Sequence, residues 1–378
     1  MIKLTIAGDY VPKSRVAKLA SEGRYDEVLS EVRAKNEATD YHIVNLECPV
    51  ASTDIKPIEK EGFKIKCEES GLALLKYAGF DCVTLANNHF YDYGDEGVKE
   101  TLQALDKQGL DHVGGGNNLD EASKTLYKEI NGETLAIINC CEHEFSIATR
   151  LSGGSNPIDP ISQYYAIREA HSKASHVIVI AHGGIERYIN PTPRMQQTYR
   201  FFIDAGADAV INHHQHCICG METYKAKPIF YGLGNFCFDF PHTADSYWNE
   251  GYMVHLSLEG ETVDYQISPY LQCNQTPNVR FLDEHEREAF DEKMKKLGHK
   301  LSDSELLQEA HERLMSVVPG ALSALLTPYT SKWSKWLYLK RLLPSFYPRE
   351  KWIALLNMVE CESHRERLVH FIKEKLKK

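Results

Sequence analysis

The chain has 378 residues, more than a single hydrophobic core usually organises, so two domains or one domain with a large appendage are expected. A composition of 43% hydrophobic and 25% charged residues is that of an ordinary folded protein and speaks against intrinsic disorder. The formal net charge of −10 lacks the basic footprint of a general nucleic-acid binder, and no run of about 18 apolar residues marks a membrane span.

Taken in order, β-rich apolar runs alternate with amphipathic stretches of helical period, the pattern of βα units. Residues 3–7 read as a first core strand rather than a signal peptide. Helix 25–35, strand 42–46, helix 70–78 closed by Gly79, strand 81–85 and helix 95–108 closed by Gly109 follow. Strand 134–139, a Gly/Ser/Pro-rich loop, helix 161–173, strand 176–180, helix 194–205 and strand 208–211 continue the alternation. From Ile218 to Pro269 strands succeed one another with little helix between, and are expected to be antiparallel neighbours completing a layered sheet. Beyond Asp283 helices are expected over 284–297, 303–317, 331–343 and 349–377, with prolines at the breaks. The domain division is placed at 1–280 and 281–378.

Five polar clusters stand where apolar runs stop: Gly8-Asp9, Asn45-Leu46-Glu47, Asn87-Asn88-His89 with Asp92, His182 with Glu186, and His213-His214-Gln215-His216. In a parallel sheet all five reach one edge, where open α/β folds place their sites. Imidazole, carboxylate and carboxamide are the donors of a divalent metal of borderline hardness, and this many of them suit two ions. Two such ions lower the pKa of a shared water and bind both attacking and leaving oxygens. Each cluster alone has a plainer reading: Asp9 as a turn cap, Asn88 in a left-handed turn, His182 bonded to backbone, clustered His as a chance surface site. Ten cysteines without a framework spacing read as free thiols, which makes the cytosol the default location.

The ordered series Gly-Asp, Asn-x-Glu, Asn-Asn-His-x-x-Asp-x-Gly, His-x-Gly-x-Glu, His-His-x-His and Ile229-Phe230-Tyr231-Gly232-Leu233-Gly234-Asn235-Phe236 resembles the CapA family of poly-γ-glutamate and capsule synthesis proteins. The match covers about residues 1–270. The resemblance implies a branch of the calcineurin-like metallophosphoesterases, whose fold is a four-layer αββα sandwich, here with a C-terminal helical module. It also implies that Asp9, Glu47 and His216 serve a first metal, with Glu47 bridging. Asn88, His182 and His214 would serve a second, with His89 as leaving-group acid oriented by Asp92, and Glu186 as a further ligand or proton shuttle. Mn, Fe or Zn, as one or two ions, would be the cofactor. One departure stands out: metallophosphoesterases commonly have Asp-x-His on the first strand, whereas this chain has Asp9-Tyr10-Val11. The CapA branch typically lacks that imidazole too.

Between Arg313 and Arg349 there is no acidic residue, while Lys332, Trp333, Lys335, Trp336, Lys340 and Arg341 alternate cation with aromatic. On a helix this suits docking against the rest of the protein or a second copy in a homo-oligomer, or else an anionic membrane surface, so residues 331–343 are the expected peripheral contact. The expectation is a metal-dependent hydrolase acting on a phosphoester or γ-glutamyl-type amide, with an anionic polymer or phosphoester as partner. A non-catalytic assembly or polymer-binding subunit is the alternative, and a nucleotide phosphatase the third.

Overall fold

A computed structural model describes residues 1–60, 62–240, 242–317, 329, 331–344, 348–360 and 362–376. Contacts divide the chain into a unit Met1–Gln308 and a unit Glu309–Lys378. The first contains, in chain order, β1 (Ile2–Val11), β2 (Tyr41–Leu46), β3 (Cys82–Thr84), β4 (Asp111–Val113), β5 (Gly115–Gly116), β6 (Leu126–Ile130), β7 (Glu133–Cys141) and β8 (Gly154–Ser155). It continues with β9 (His176–His182), β10 (Ala209–His213), β11 (Met221–Tyr224), β12 (Lys227–Phe230), β13 (Asn235–Phe238), β14 (Glu250–Glu259), β15 (Thr262–Gln272) and β16 (Val279–Phe281). The helices that matter below are α1 (Ser14–Ser21), α2 (Asp26–Asn36), α3 (Glu69–Tyr77), α4 (Gly94–Gln108), α5 (Leu119–Ala122), α6 (Pro160–Lys173), α7 (Pro193–Ala205), α8 (Glu284–Ser302) and α9 (Ser304–Val317).

The expected α/β architecture is present, with its strands in two main sheets. The larger runs β16-β15-β14-β1-β2-β3-β4, with β13 added in parallel beside the end of β1; the smaller runs β11-β12-β10-β9-β7-β6. Strands β1 to β4 are mutually parallel, as are β7, β9, β10 and β12. The strands after Ile218 do not complete one sheet: hairpin β11-β12 joins the smaller and hairpin β14-β15 the larger. Period alone cannot tell which sheet a hairpin will join, because both offer an apolar face.

One core lies between the sheets, where Leu4, Ile6 and Ile43 meet Ile137, Ile180 and Ile211. The other face of the larger sheet packs Val44 and Val83 against Val16, Val32, Leu72 and Leu105 of α1 to α4. The other face of the smaller packs Val179 and Val210 against Ile167 and Phe202 of α6 and α7. Burial on both faces explains why β1, β2 and β9 read as near-continuous apolar runs. Helix α8 inserts Phe290, Met294 and Leu297 into the core between the sheets, so it packs with the first unit.

In the second unit, helices Lys332–Leu339, Arg349–Glu360 and Glu362–Leu376 are described. The expected helix 331–343 ends at Leu339, and the expected helix 349–377 is two helices flanking Cys361, which lies outside the described residues. Breaks read at Pro319 and Pro328 also lie outside them. The nine described cysteines are free and buried. Among the described residues no helix is long and apolar enough to cross a membrane.

Candidate metal centre

The five polar clusters meet where the parallel strands of both sheets end. Strand β1 delivers Asp9, β2 ends just before Glu47, and β3 leads by a short loop to Asn88; these come from the larger sheet. From the smaller, β9 ends on His182 and β10 on His213, just before His214 and His216. The loops are pinned by carboxamides. Asn139 accepts from the backbone N–H groups of Leu85 (3.1 Å) and Ala86 (2.7 Å) and donates to Ile180 O (2.9 Å), tying the β3 exit to the smaller sheet. Asn212 donates to Gly183 O (2.9 Å) and Tyr231 O (3.0 Å), which fixes the bend into the His segment. In that bend His214 (φ 99°) and His216 (φ 53°) hold left-handed backbone, a strained arrangement of the kind that persists where surrounding packing enforces it.

Two sets of donors share one residue. Ligand atoms of Glu47, His182 and His214 lie within 4.8 Å of one another, and so do those of Asp9, Glu47 and His216; every member is buried. Glu47 Oε1 is 3.6 Å from both His182 Nε2 and His216 Nε2. Asn88 Oδ1 accepts from His182 Nε2 at 3.1 Å, which puts the carboxamide with the first of these sets. Asp9 Oδ2 lies 3.5 Å from His216 Nδ1, and Asp9 Oδ1 accepts from Asn45 Nδ2 at 2.8 Å. Asn45 also reaches His182 Nδ1 (3.2 Å), so it links the two sets from behind. Asn235 holds His216, accepting from Nδ1 at 2.9 Å. His213 turns away and meets Ala7 O at 3.0 Å.

Electrostatics separate the donors. Burial would raise the Asp9 carboxyl, but its hydrogen bond with His216 and the charges of His213 and His182 hold it well below the usual carboxylate range. Burial would lower His216, but Glu47 and Asp9 outweigh it and push that imidazole up to about 10. Burial, aided by neighbouring imidazoles, pulls His182 well down and His214 to about 4. Burial drives Glu47 well above the carboxylate range despite His216. Both Glu47 oxygens are buried without a hydrogen-bond partner, a costly state for a carboxylate that a cation at the shared position would relieve. The donor set fits divalent metal: His, carboxylate and carboxamide, with the bridging carboxylate between.

His89 donates from Nδ1 to Asp92 Oδ2 at 2.7 Å, and Asp92 also accepts from Ile65 N–H at 2.8 Å. Burial lowers the His89 imidazole, with Asp92 opposing. Glu186 and Arg187 are exposed beside His89 and His216 at the rim of one cavity.

Three participants carry no sequence signal strong enough to single them out. Lys60, from an irregular loop, has a side chain 3% exposed, ion-pairs with Asp92 and donates to Asn88 O at 3.1 Å. Glu144 Oε1 lies 4.0 Å from His214 Nε2. Trp248 packs its ring 4.9 Å from that of His216. The adjoining Cys140-Cys141-Glu142-His143 run marks the neighbourhood of Glu144; nothing marks Lys60.

Residues 3–240 match the sequence profile described as bacterial capsule synthesis protein PGA_cap. The chain is 32% identical over 255 residues to the capsule biosynthesis protein CapA of Bacillus anthracis, covering 65% of this chain and 62% of that relative. It is 33% identical over 275 residues to the PGA biosynthesis protein CapA of Bacillus subtilis (strain 168), covering 71% of each. A Mycobacterium tuberculosis protein described as a probable polyglutamine synthesis accessory protein is 26% identical over 254 residues, covering 62% of this chain and 67% of that one. The aligned part therefore spans about three fifths of the B. anthracis relative.

Proposed function

Since the chain belongs to the PGA_cap family of bacterial capsule synthesis proteins, we propose that it is a metal-dependent hydrolase of capsule or poly-γ-glutamate metabolism, cleaving a phosphoester or a γ-glutamyl-type amide. The observation that carries this reading is Glu47: buried, with neither oxygen hydrogen-bonded, and common to two donor sets. The helix-covered pair of packed sheets, with polar strand ends converging, supports a metallophosphoesterase-like layering of residues 1–280; of the helical region 281–378, α8 belongs to that core and the helices beyond it would have a role of their own. Asp9, Glu47 and His216 would hold one cation; Glu47, Asn88, His182 and His214 would hold the other. Bound divalent metal supplies Lewis acidity, making a water nucleophilic near neutral pH and offsetting charge on the attacked group.

The chain's own residues do the rest. His89 is oriented through Nδ1–H by Asp92, so that in its doubly protonated form the Nε2 proton would pass to the departing group. Burial lowers the imidazole pKa, which makes that proton more acidic while making the protonated form scarcer near neutral pH. Arg187 and Glu186 are exposed at the cavity rim, where Arg187 would bind the substrate's anionic group and Glu186 would shuttle the proton back.

A second reading, an accessory polymer-binding subunit, is favoured by Val11, a fully buried apolar residue at the position where metallophosphoesterases supply an extra imidazole. The mycobacterial relative, a probable polyglutamine synthesis accessory protein, agrees with it. In either case residues 331–343 are the proposed contact to a partner, a second copy or a membrane surface. Metal analysis after reconstitution with Mn, Fe or Zn, followed by a screen of phosphoesters and γ-glutamyl peptides, tests the proposal. One or two bound ions and turnover support the hydrolase. No retained metal overturns it and leaves the accessory reading.

A further inference from the structure

A cavity of about 300 Å³ opens beside the candidate metal centre and shares His89 and His216 with it. Five aromatic residues, Phe63, Phe238, Phe240, Tyr247 and Trp248, share the rest of its wall with polar groups. The His216 ring lies 4.9 Å from Trp248, Trp248 lies 5.6 Å from Phe240, and Phe240 lies 5.8 Å from Phe63. Each step is within aromatic contact distance, so one track of rings leads from a candidate ligand imidazole to the surface. At its outer end Phe63 is 68% exposed, and Tyr247, which also lines the cavity, is 44% exposed. The two come from separate loops, one between β2 and α3 and the other between β13 and β14. Burying neither ring in the core forgoes hydrophobic stabilisation, which is expected where an apolar wall awaits a ligand.

We propose that this cavity is the subsite for the organic part of the substrate, and that it takes a ring with an apolar face, a sugar or a nucleobase, carried on an anionic ester. This rests on the hydrolase reading and narrows its substrate class. A rigid ring covers an aromatic wall while losing few rotatable bonds, and stacking tolerates many ring types. A flexible acidic chain gains less from the same wall, because ordering it costs more rotatable bonds. The volume sits at the small end of ligand pockets, enough for a ring-sized group. Exposed Arg187 on the same cavity supplies the cation for the ester's charge.

Trp248 reports occupancy directly. The other three tryptophans, Trp333, Trp336 and Trp352, are replaced in the full chain as W333F, W336F and W352F. Fluorescence is then titrated with AMP, glucose 1-phosphate, methyl phosphate and γ-glutamylglutamate, using both chelator-treated and zinc-loaded protein. The expected result is saturable binding of AMP or glucose 1-phosphate at least about tenfold tighter than of the two ringless ligands, weakened about tenfold by Phe63→Ala. The tighter of the two ring ligands separates nucleobase from sugar. Tightest binding of γ-glutamylglutamate, or no effect of Phe63→Ala, overturns the proposal; exposed Phe63 is replaced without threat to folding. Hydrolysis of methyl phosphate without ring preference overturns the subsite but not the hydrolase. Ring binding sensitive to Phe63→Ala, with no ester hydrolysed, overturns the hydrolase and leaves the subsite.

Discussion

His182 and His214 bring Nε2 and Nδ1 to 3.1 Å of each other across 32 residues of sequence, both rings buried and both shifted towards the neutral form. Two nitrogens on one tetrahedral zinc with bonds of about 2.0–2.1 Å lie roughly 3.3 Å apart. The pair is thus spaced to be bridged by a cation, and Glu47 Oε1 stands 3.6 Å from His182 Nε2 to complete the set. Replacing His214 by Ala is expected to remove one ion per chain and leave the one served by Asp9, Glu47 and His216. Glu47→Gln, which touches both sets, is expected to weaken both by about 100-fold or more. Metal content by plasma emission after dialysis distinguishes them; equal retention in both variants would detach Glu47 from metal binding.

Asp92 has two duties that mutagenesis can separate. One oxygen accepts a hydrogen bond from His89 Nδ1 and the other pairs with Lys60, whose side chain is 3% exposed. His89→Asn is expected to keep full metal content while turnover falls about 10²–10⁴-fold. Asp92→Asn is expected to cost about 3–5 kcal/mol of stability besides, because it strands a buried ammonium. The double variant Lys60→Met/Asp92→Asn should recover most of that loss. Urea unfolding of the three variants decides this, and an unrecovered double variant would assign the loss to Ile65 N–H, the other donor to Asp92.

The strand ends were legible in the sequence because burial on both faces makes a parallel strand an apolar run, and a polar residue at its end then has only the sheet edge to occupy. Asp9, Glu47, Asn88, His182, His214 and His216 were read that way, and the structure gathers them at one place. That place is built by two sheets, which a single chain of βα units does not announce. Lys60 lies in a loop without periodicity, and its charge alone predicts a solvated side chain. Trp248 lies outside the strands, so its meeting with His216 depends on β13 running beside β1, a pairing of residues over 200 apart. Among the three adjacent histidines, only backbone conformation decides that His213 faces Ala7 O while its neighbours face the donors.

Gly8 is where that pairing is decided. A Cβ there would stand 2.0 Å from Gly234 O, the carbonyl that accepts from Asp9 N–H at 3.3 Å. Gly8→Ala must therefore push β13 away, carrying Asn235 from His216 and loosening Asp9. A loss of about 1–3 kcal/mol is expected, the usual range for overpacking, together with weaker metal retention at the Asp9, Glu47 and His216 set. Thermal unfolding with and without metal checks it. Unchanged metal affinity would show that β13 does not position Asp9.

His255 gives the fold an acid sensitivity independent of the donors. It sits in β14 with Nδ1 2.9 Å from Thr5 Oγ1 and Nε2 2.9 Å from Ser268 Oγ, bridging to β1 and β15. Burial, with the charges of Lys35 and His42 adding, pulls its pKa down to about 4. The unfolded chain titrates near 6.5, so below that pH the unfolded state takes up a proton that the folded state refuses. Its contribution is complete above about pH 6.5 and is lost as pH falls towards 4. The ring is partly exposed, which discounts the loss to about 1–3 kcal/mol. His255→Asn should lower stability at neutral pH yet flatten the fall between pH 6.5 and 4. Urea midpoints measured at half-unit steps would show it, and parallel profiles for the two proteins would move the acid sensitivity elsewhere.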